Sequence, residues 1–304
     1  MGGVCPVCNL KPIPNFVPQM NPTVFALVVL AAFIHAFWNI LLKRVQGGLS
    51  FTWFVSILQT VVFSPWIAWV IYAEKPALGP LEWLFIAGSA VIHIAYYHFL
   101  QWGYRIGDIS LVYPVARGSG PLFSSLAAII FLGERPGWFG VLGIVAIGVG
   151  IFCLTGVRKN ARLGMEGAVV AGLLTGLSIA AYTVWDKYAV SSVHVSPVLL
   201  DLLANPLLAL LLVPMVWNQR NDIRRYWAMN RGELIGVTLA NPISYILILS
   251  VMTVAPVSQI APMREISTLV GAFIGGRLFA EENLGRRLAA ASIIVVGVLA
   301  VAHG

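Results

Sequence analysis

Apolar residues in this chain run in stretches far longer than a soluble core needs. Ten such stretches stand out: 22–42, 49–72, 81–103, 109–131, 137–156, 166–187, 195–216, 231–252, 254–279 and 285–303. Each approaches or exceeds the roughly 18–25 residues that carry a helix across the hydrocarbon core of a bilayer. Polar residues fall mainly between them, in short connections. The longest connection, 217–230 (WNQRNDIRRYWAMN), is amphipathic and predicts a segment lying on the membrane surface. No connection is long enough for a soluble domain. The pattern predicts an all-α polytopic membrane protein with ten transmembrane helices.

The pattern also repeats. HAFWNILLK at 35–43 aligns with IAAYTVWDK at 179–187, so that Trp38 matches Tyr182 and Lys43 matches Lys187. Arg117 and Arg264 sit at equivalent depths of two apolar stretches, and the interval between them also separates Glu134 from Glu281. Two five-helix repeats follow, 22–156 and 166–303. Five is odd, so the second repeat is inverted in the membrane. Inverted repeats with a binding site between them near the midplane are a transporter plan.

Composition sharpens this reading. The chain of 304 residues is 59% hydrophobic and 10% charged, with a mean hydropathy of +0.87; soluble domains carry about 25% charged residues. The net charge of +7 is therefore no sign of nucleic-acid binding. Its Lys and Arg cluster after the odd-numbered stretches: Lys43 and Arg44, Arg105, the 158–162 group, the 220–231 group, and Arg277, Arg286 and Arg287. The opposite side has only Lys11, Lys75, Arg135 and Lys187. By the positive-inside rule both termini face away from the cytoplasm. Residues 1–21 form a Pro-rich leader, expected to be disordered. Its Cys5 and Cys8 make a lone C-x-x-C without a second pair or a nearby His, too little for a zinc site. Met20 directly precedes the first apolar stretch.

The candidate chemistry lies inside the apolar stretches. An arginine at the middle of a membrane helix costs roughly 2.5–3.5 kcal/mol on insertion scales, and this chain meets that cost twice. Around Arg117 stand Tyr113, Pro114, Gly118, Ser119, Gly120 and Pro121; around Arg264 stand Pro256, Gln259, Pro262, Glu265, Ser267 and Thr268. These prolines and glycines predict a broken or kinked helix at each arginine. His35, Trp38, Asn39 and Lys43 share a face of the first helix, and His93, Tyr96, Tyr97, His98 and Gln101 form a polar stripe on the third. Later helices add Asp201, Asn205, Asn241, Ser244 and Tyr245.

Substrate-binding candidates are Arg117, Arg264, Trp38, Asn39, His93, Tyr96, Tyr113, Tyr182, Tyr245 and Gln259. Proton-coupling candidates are Glu265, His35, His98 and Asp201. The competing reading is structural: Arg264 pairs with Glu265, or Arg117 with Asp201, and the aromatics are core. The sequence has no H-E-x-x-H or G-x-S-x-G pattern, so no enzyme, metal or cofactor is expected.

At these residues the chain resembles the drug/metabolite transporter superfamily, in the branch with two EamA-type five-helix halves. HAFWNILLK, YRIGDISLVYPVARGSGP, FLGERP, AAYTVWDK, MTVAPVSQIAPMRE and the closing GRLFAEE carry the resemblance, which covers nearly the whole chain from about residue 22. A narrower likeness is to a bacterial subgroup with HxxWNxxxK and VYPxARG patterns, some members of which are linked to phosphonate use. The resemblance implies ten helices, inverted repeats, a central cavity and, mostly, export by alternating access. The related small multidrug exporters rely on a glutamate in helix 1; helix 1 here has no acid, so coupling through that position is excluded.

The expectation is thus an inner (plasma) membrane exporter of small polar metabolites, amino-acid-like or otherwise anion-bearing, with protons as the coupling ion, working as a monomer or homodimer. Its alternatives are a broad exporter of hydrophobic or cationic compounds and a lipid-intermediate scramblase. Lateral opening between helices would favour the scramblase.

Overall fold

The computed structural model describes residues 21–45, 48–107, 109–155, 165–270 and 284–303. Cys5, Cys8, Arg277 and Glu281 lie outside the described residues. Those described are all-helical, with no strand among them.

The helices are α1 (Pro22–Val45), α2 (Leu49–Glu74), α3 (Pro80–Ile106), α4 (Ile109–Phe131), α5 (Trp138–Thr155), α6 (Met165–Ser191) and α7 (Pro197–Val216). There follow α8 (Arg220–Met229), α9 (Arg231–Met252), α10 (Val257–Met263), α11, described over 266–270, and α12 (Leu284–His303). Local chemistry explains several ends. The Asn21 side chain accepts the Thr23 N–H at the start of α1. Pro80 and Pro197 open α3 and α7, where a missing N–H costs nothing, and the Glu82 carboxylate accepts the Gly79 N–H. Lys75 ends α2 in the left-handed region, with φ 44°. The charged α8 is a short helix within the amphipathic 217–230 stretch.

Among the described residues, six helices are long and apolar enough to cross a membrane: Pro22–Leu42, Leu49–Glu74, Pro80–Ile106, Glu166–Ser191, Pro197–Gln219 and Arg231–Met252. Val115–Phe131, Trp138–Cys153 and Ala289–His303 are apolar but shorter. The distribution of side chains supports a lipid surround. Large apolar residues such as Phe33, Phe37, Val61, Leu84, Ile130, Phe131, Leu210 and Val296 are exposed, whereas Ser56, Gln59, Ser124, Thr175, Thr183, Asp186 and Glu265 are buried. That inverts the soluble pattern. Exposed Trp69, Trp83, Trp138 and Trp217 stand near helix ends, where indole rings favour the interface.

Helices from the two halves of the chain pack against each other: α1 on α9, α2 on α7, α3 and α4 on α6, and α5 on α12. Small residues allow the close approaches. A Cβ on Gly143 of α5 would lie 2.6 Å from the Gly297 carbonyl oxygen of α12.

One of the two predicted helix breaks is present. After α10 the chain makes a turn at Arg264 and Glu265 before helix resumes at residue 266. By contrast α4 runs as one helix through Pro114 and Pro121. A proline removes a single backbone donor, and tight packing of α4 on α6 holds the helix through that loss.

Candidate functional site

The turn between α10 and α11 places two charged side chains at the centre of the helix assembly. Arg117 of α4 faces this turn, and its Nη1 lies 3.9 Å from Glu265 Oε1. Glu265 Oε2 accepts the Thr268 hydroxyl at 2.7 Å. The partner of Arg117 is therefore Glu265, in place of the Asp201 expected from sequence, and Arg264 does not take Glu265. Proximity in sequence misled here: adjacent residues leave a helical turn in different directions. Arg117 Nη2 also approaches His35 Nε2 at 3.5 Å, and its guanidinium lies over the Tyr113 ring at 5.6 Å.

Arg264 is held differently. Its guanidinium lies 5.6 Å over the Tyr245 ring. Among the described residues the one ion pair is Arg117–Glu265, so Arg264 has no carboxylate at ion-pair distance there. Of the two guanidinium groups at this turn, one thus has an ion-pair partner among the described residues. Arg117, Arg264 and Glu265 line a cavity together with Pro121, Ser124, Ile179, Tyr182, Thr183 and Ala261. It holds about 10 Å³, room for about one water molecule. This void is far smaller than the central solute cavity expected from sequence, and a solute of amino-acid size does not fit it.

Aromatic rings extend from the cavity. His93 stacks on Tyr182 at 4.3 Å and meets Tyr245 edge-on at 5.7 Å. Tyr96 meets Tyr182 at 6.0 Å and Tyr97 at 5.0 Å. On the α1 side, His35 and Trp38 are in contact at 4.7 Å, and Trp38 Nε1 donates to Ser244 Oγ at 3.2 Å. Gln59 Nε2 donates to Asn241 Oδ1 at 3.2 Å, tying α2 to α9.

The structure therefore joins Arg117, Arg264, Glu265, His35, Trp38, His93, Tyr96, Tyr113, Tyr182 and Tyr245 in one network. Four other candidates stand outside it. Asn39 donates its side-chain amide to the His35 carbonyl of its own helix. Gln259 is buried within α10 but does not line the cavity. His98 is exposed. Asp201 lies on α7 with Oδ2 buried and without a hydrogen bond.

Other residues were missed. Asp186 is fully buried and accepts the Tyr245 hydroxyl through Oδ2. Ser124 and Thr183 line the cavity. The signal for Asp186 was present, an acid in an apolar stretch. It fell at the predicted end of its segment, 166–187, and was not singled out. In the structure α6 continues to Ser191, which sets Asp186 a turn inside the helix.

Two charged residues act as helix caps. Lys187 Nζ donates to the Met252 and Ala255 carbonyls at the end of α9, so this lysine is no loop residue. The Glu134 carboxylate takes the Val257 and Ser258 N–H groups, each at 2.7 Å, at the start of α10.

Residues 23–156 match the EamA-like transporter family. A solved structure described only as "Crystal structure of protein" shares the fold at a TM-score of 0.69, with 13% identity, over 91% of this chain and 96% of its own. No curated protein matches the chain.

Proposed function

We propose, from the match of residues 23–156 to the EamA-like transporter family of the drug/metabolite transporter superfamily, that this chain is a membrane exporter of small anion-bearing solutes, amino-acid-like metabolites foremost. The observation that carries this is Arg264. It lines the cavity without a carboxylate partner among the described residues, beside an Arg117 that Glu265 already offsets. The site has one positive charge to spare. A guanidinium offers donors in a planar fork that grips a carboxylate or phosphonate through two oxygens. Tyr182, Tyr245 and His93 form the wall against which the rest of a small solute rests.

The architecture we infer is ten membrane spans in two inverted five-helix repeats, 22–156 and 166–303, working by alternating access in the inner (plasma) membrane. Helix pairing supports it. Exchanging each helix with its partner in the other half turns the α1–α9 packing into α6–α3, and maps α2–α7 and α5–α12 onto themselves. The small cavity fits a contracted state between two open ones. The protein acts as a monomer or homodimer.

The tyrosine and histidine rings also favour a second reading, export of hydrophobic or cationic compounds, since ring faces attract cations. Unpaired Arg264 repels them. A thermal-shift screen of the purified protein against amino acids, phosphonates and cationic dyes separates the readings. A ligand at 100 times its Kd adds about 2.7 kcal/mol of stability. Anion-bearing solutes are expected to raise the melting temperature and dyes to leave it unchanged; the reverse pattern rejects the anion reading.

A further inference from the structure

Asp186 has no task in anion recognition, yet it is 0% exposed. Tyr245 donates to its Oδ2, while Oδ1 has no full hydrogen bond. Among the described residues no Lys, Arg or His nitrogen stands at ion-pair distance from it, since the one such pair is Arg117–Glu265. A buried carboxylate left this way is a costly place for a bare charge.

The polar and cationic groups that face Asp186 favour the charged form and offset only part of the cost of its burial. From α3 come His93 and the Ser89 hydroxyl, from α9 Tyr245, and from the turn after α10 Arg264. Asp201 of α7 is a second acid within electrostatic reach, with its Oδ2 also lacking a hydrogen bond. Tyr182 flanks Asp186 on α6 itself. The charge on α4, Arg117, is engaged with Glu265, and Lys187 is turned to the end of α9. No group of three or more His, Cys, Asp or Glu able to hold a metal ion occurs among the described residues. The ligand that suits this place is a proton. The position is also single in a repeated chain: in the register that matches Lys43 with Lys187, Asp186 falls on Leu42.

We propose that Asp186 is a proton-binding site, and that Tyr245 links it to anion binding at Arg264. The hydroxyl of Tyr245 is on Asp186 and its ring is under Arg264. With Asp186 ionised, its charge partly offsets Arg264. When a proton adds to the carboxylate, Arg264 keeps its full positive charge for an anion. Proton and anion then bind cooperatively, and the effect is reciprocal. The coupling rests on the anion reading of the cavity; the proton site does not.

Two measurements on the full chain in detergent test both parts. The first is an infrared pH titration without solute, on wild type and Asp186→Asn. A protonated-carboxyl band that fades as pH rises is expected in wild type and is expected to be missing from the variant. Identical titrations in both proteins overturn the proton site. The second is acetate affinity by thermal shift between about pH 5.5 and 8.5, where acetate stays charged. Wild-type affinity is expected to fall with rising pH, by up to about tenfold per unit for one linked proton. Asp186→Asn, which mimics the neutral acid, is expected to keep the low-pH affinity throughout. Tyr245→Phe is expected to keep the infrared band and to weaken the pH dependence of binding, leaving the direct charge effect of Asp186 on Arg264. If Asp186→Asn binds acetate with the wild-type pH dependence, the coupling is wrong. If acetate binds wild type at no pH while the infrared difference is present, the anion reading fails and the proton site stands.

Discussion

Removing the Glu265 charge by Glu265→Gln leaves Arg117 and Arg264 facing the same small cavity without an ion-pair partner among the described residues. The Arg117–Glu265 separation of 3.9 Å corresponds to about 4 kcal/mol of attraction at an effective dielectric of about 20. The side chains are 15% and 8% exposed, so solvent screens little of it. Breaking one partner of a buried pair typically costs about 3–5 kcal/mol. We expect Glu265→Gln to destabilise the purified protein by about 3 kcal/mol in detergent unfolding titrations. The double variant Arg117→Met, Glu265→Met removes both charges together and is expected to regain most of that stability. Anion binding separates structure from recognition. Glu265→Gln raises the positive charge at the cavity, so an anion such as acetate is expected to stabilise it more than it stabilises wild type. The double variant has one guanidinium less for the anion and is expected to respond less. A loss below about 1 kcal/mol in Glu265→Gln, or a double variant that binds the anion as wild type does, refutes the argument.

Other outcomes follow from single contacts. Arg264→Lys keeps the charge but loses the two-point grip, and anion affinity by thermal shift is expected to fall at least about tenfold. Lys187→Met leaves the Met252 and Ala255 carbonyls without their shared donor, and unfolding titrations are expected to show a loss of about 1–3 kcal/mol with anion affinity unchanged. Gly143→Val drives a side chain into the α12 backbone, so lower melting temperature and poorer folded yield are expected. A C-terminal reporter active only in the cytoplasm is expected to stay silent; activity would reverse the orientation.

The helical fold was legible because membrane spans are written in composition and length: the apolar stretches at 22–42, 49–72 and 231–252 correspond to α1, α2 and α9. Proline was a weaker guide. The same kind of signal predicted breaks around Arg117 and Arg264, yet α4 continues while α10 ends in a turn, because neighbouring helices decide whether a missing donor matters. The central network was legible through intramembrane polarity, which brought in the arginines, His35, His93 and the tyrosines. Pairing was not, since Arg117–Glu265 spans the two halves of the chain and no sequence interval encodes it. Asp186 went unrecognised although it is an acid in an apolar stretch; the predicted segment ended at residue 187, a turn before α6 ends at Ser191.

The central claim is that an anion-bearing solute crosses the membrane by engaging Arg264. Its most direct test is efflux of labelled solutes from proteoliposomes holding wild type or Arg264→Gln, with the two proteins matched in folded amount. A panel of labelled amino acids and phosphonates is compared with cationic dyes. The account predicts that wild type releases at least one anion-bearing solute well above protein-free liposomes, that Arg264→Gln reduces that flux at least about tenfold, the loss expected for a charged, two-point contact, and that dyes are not released. Equal flux of the same solute through both proteins, or release of dyes alone, contradicts it.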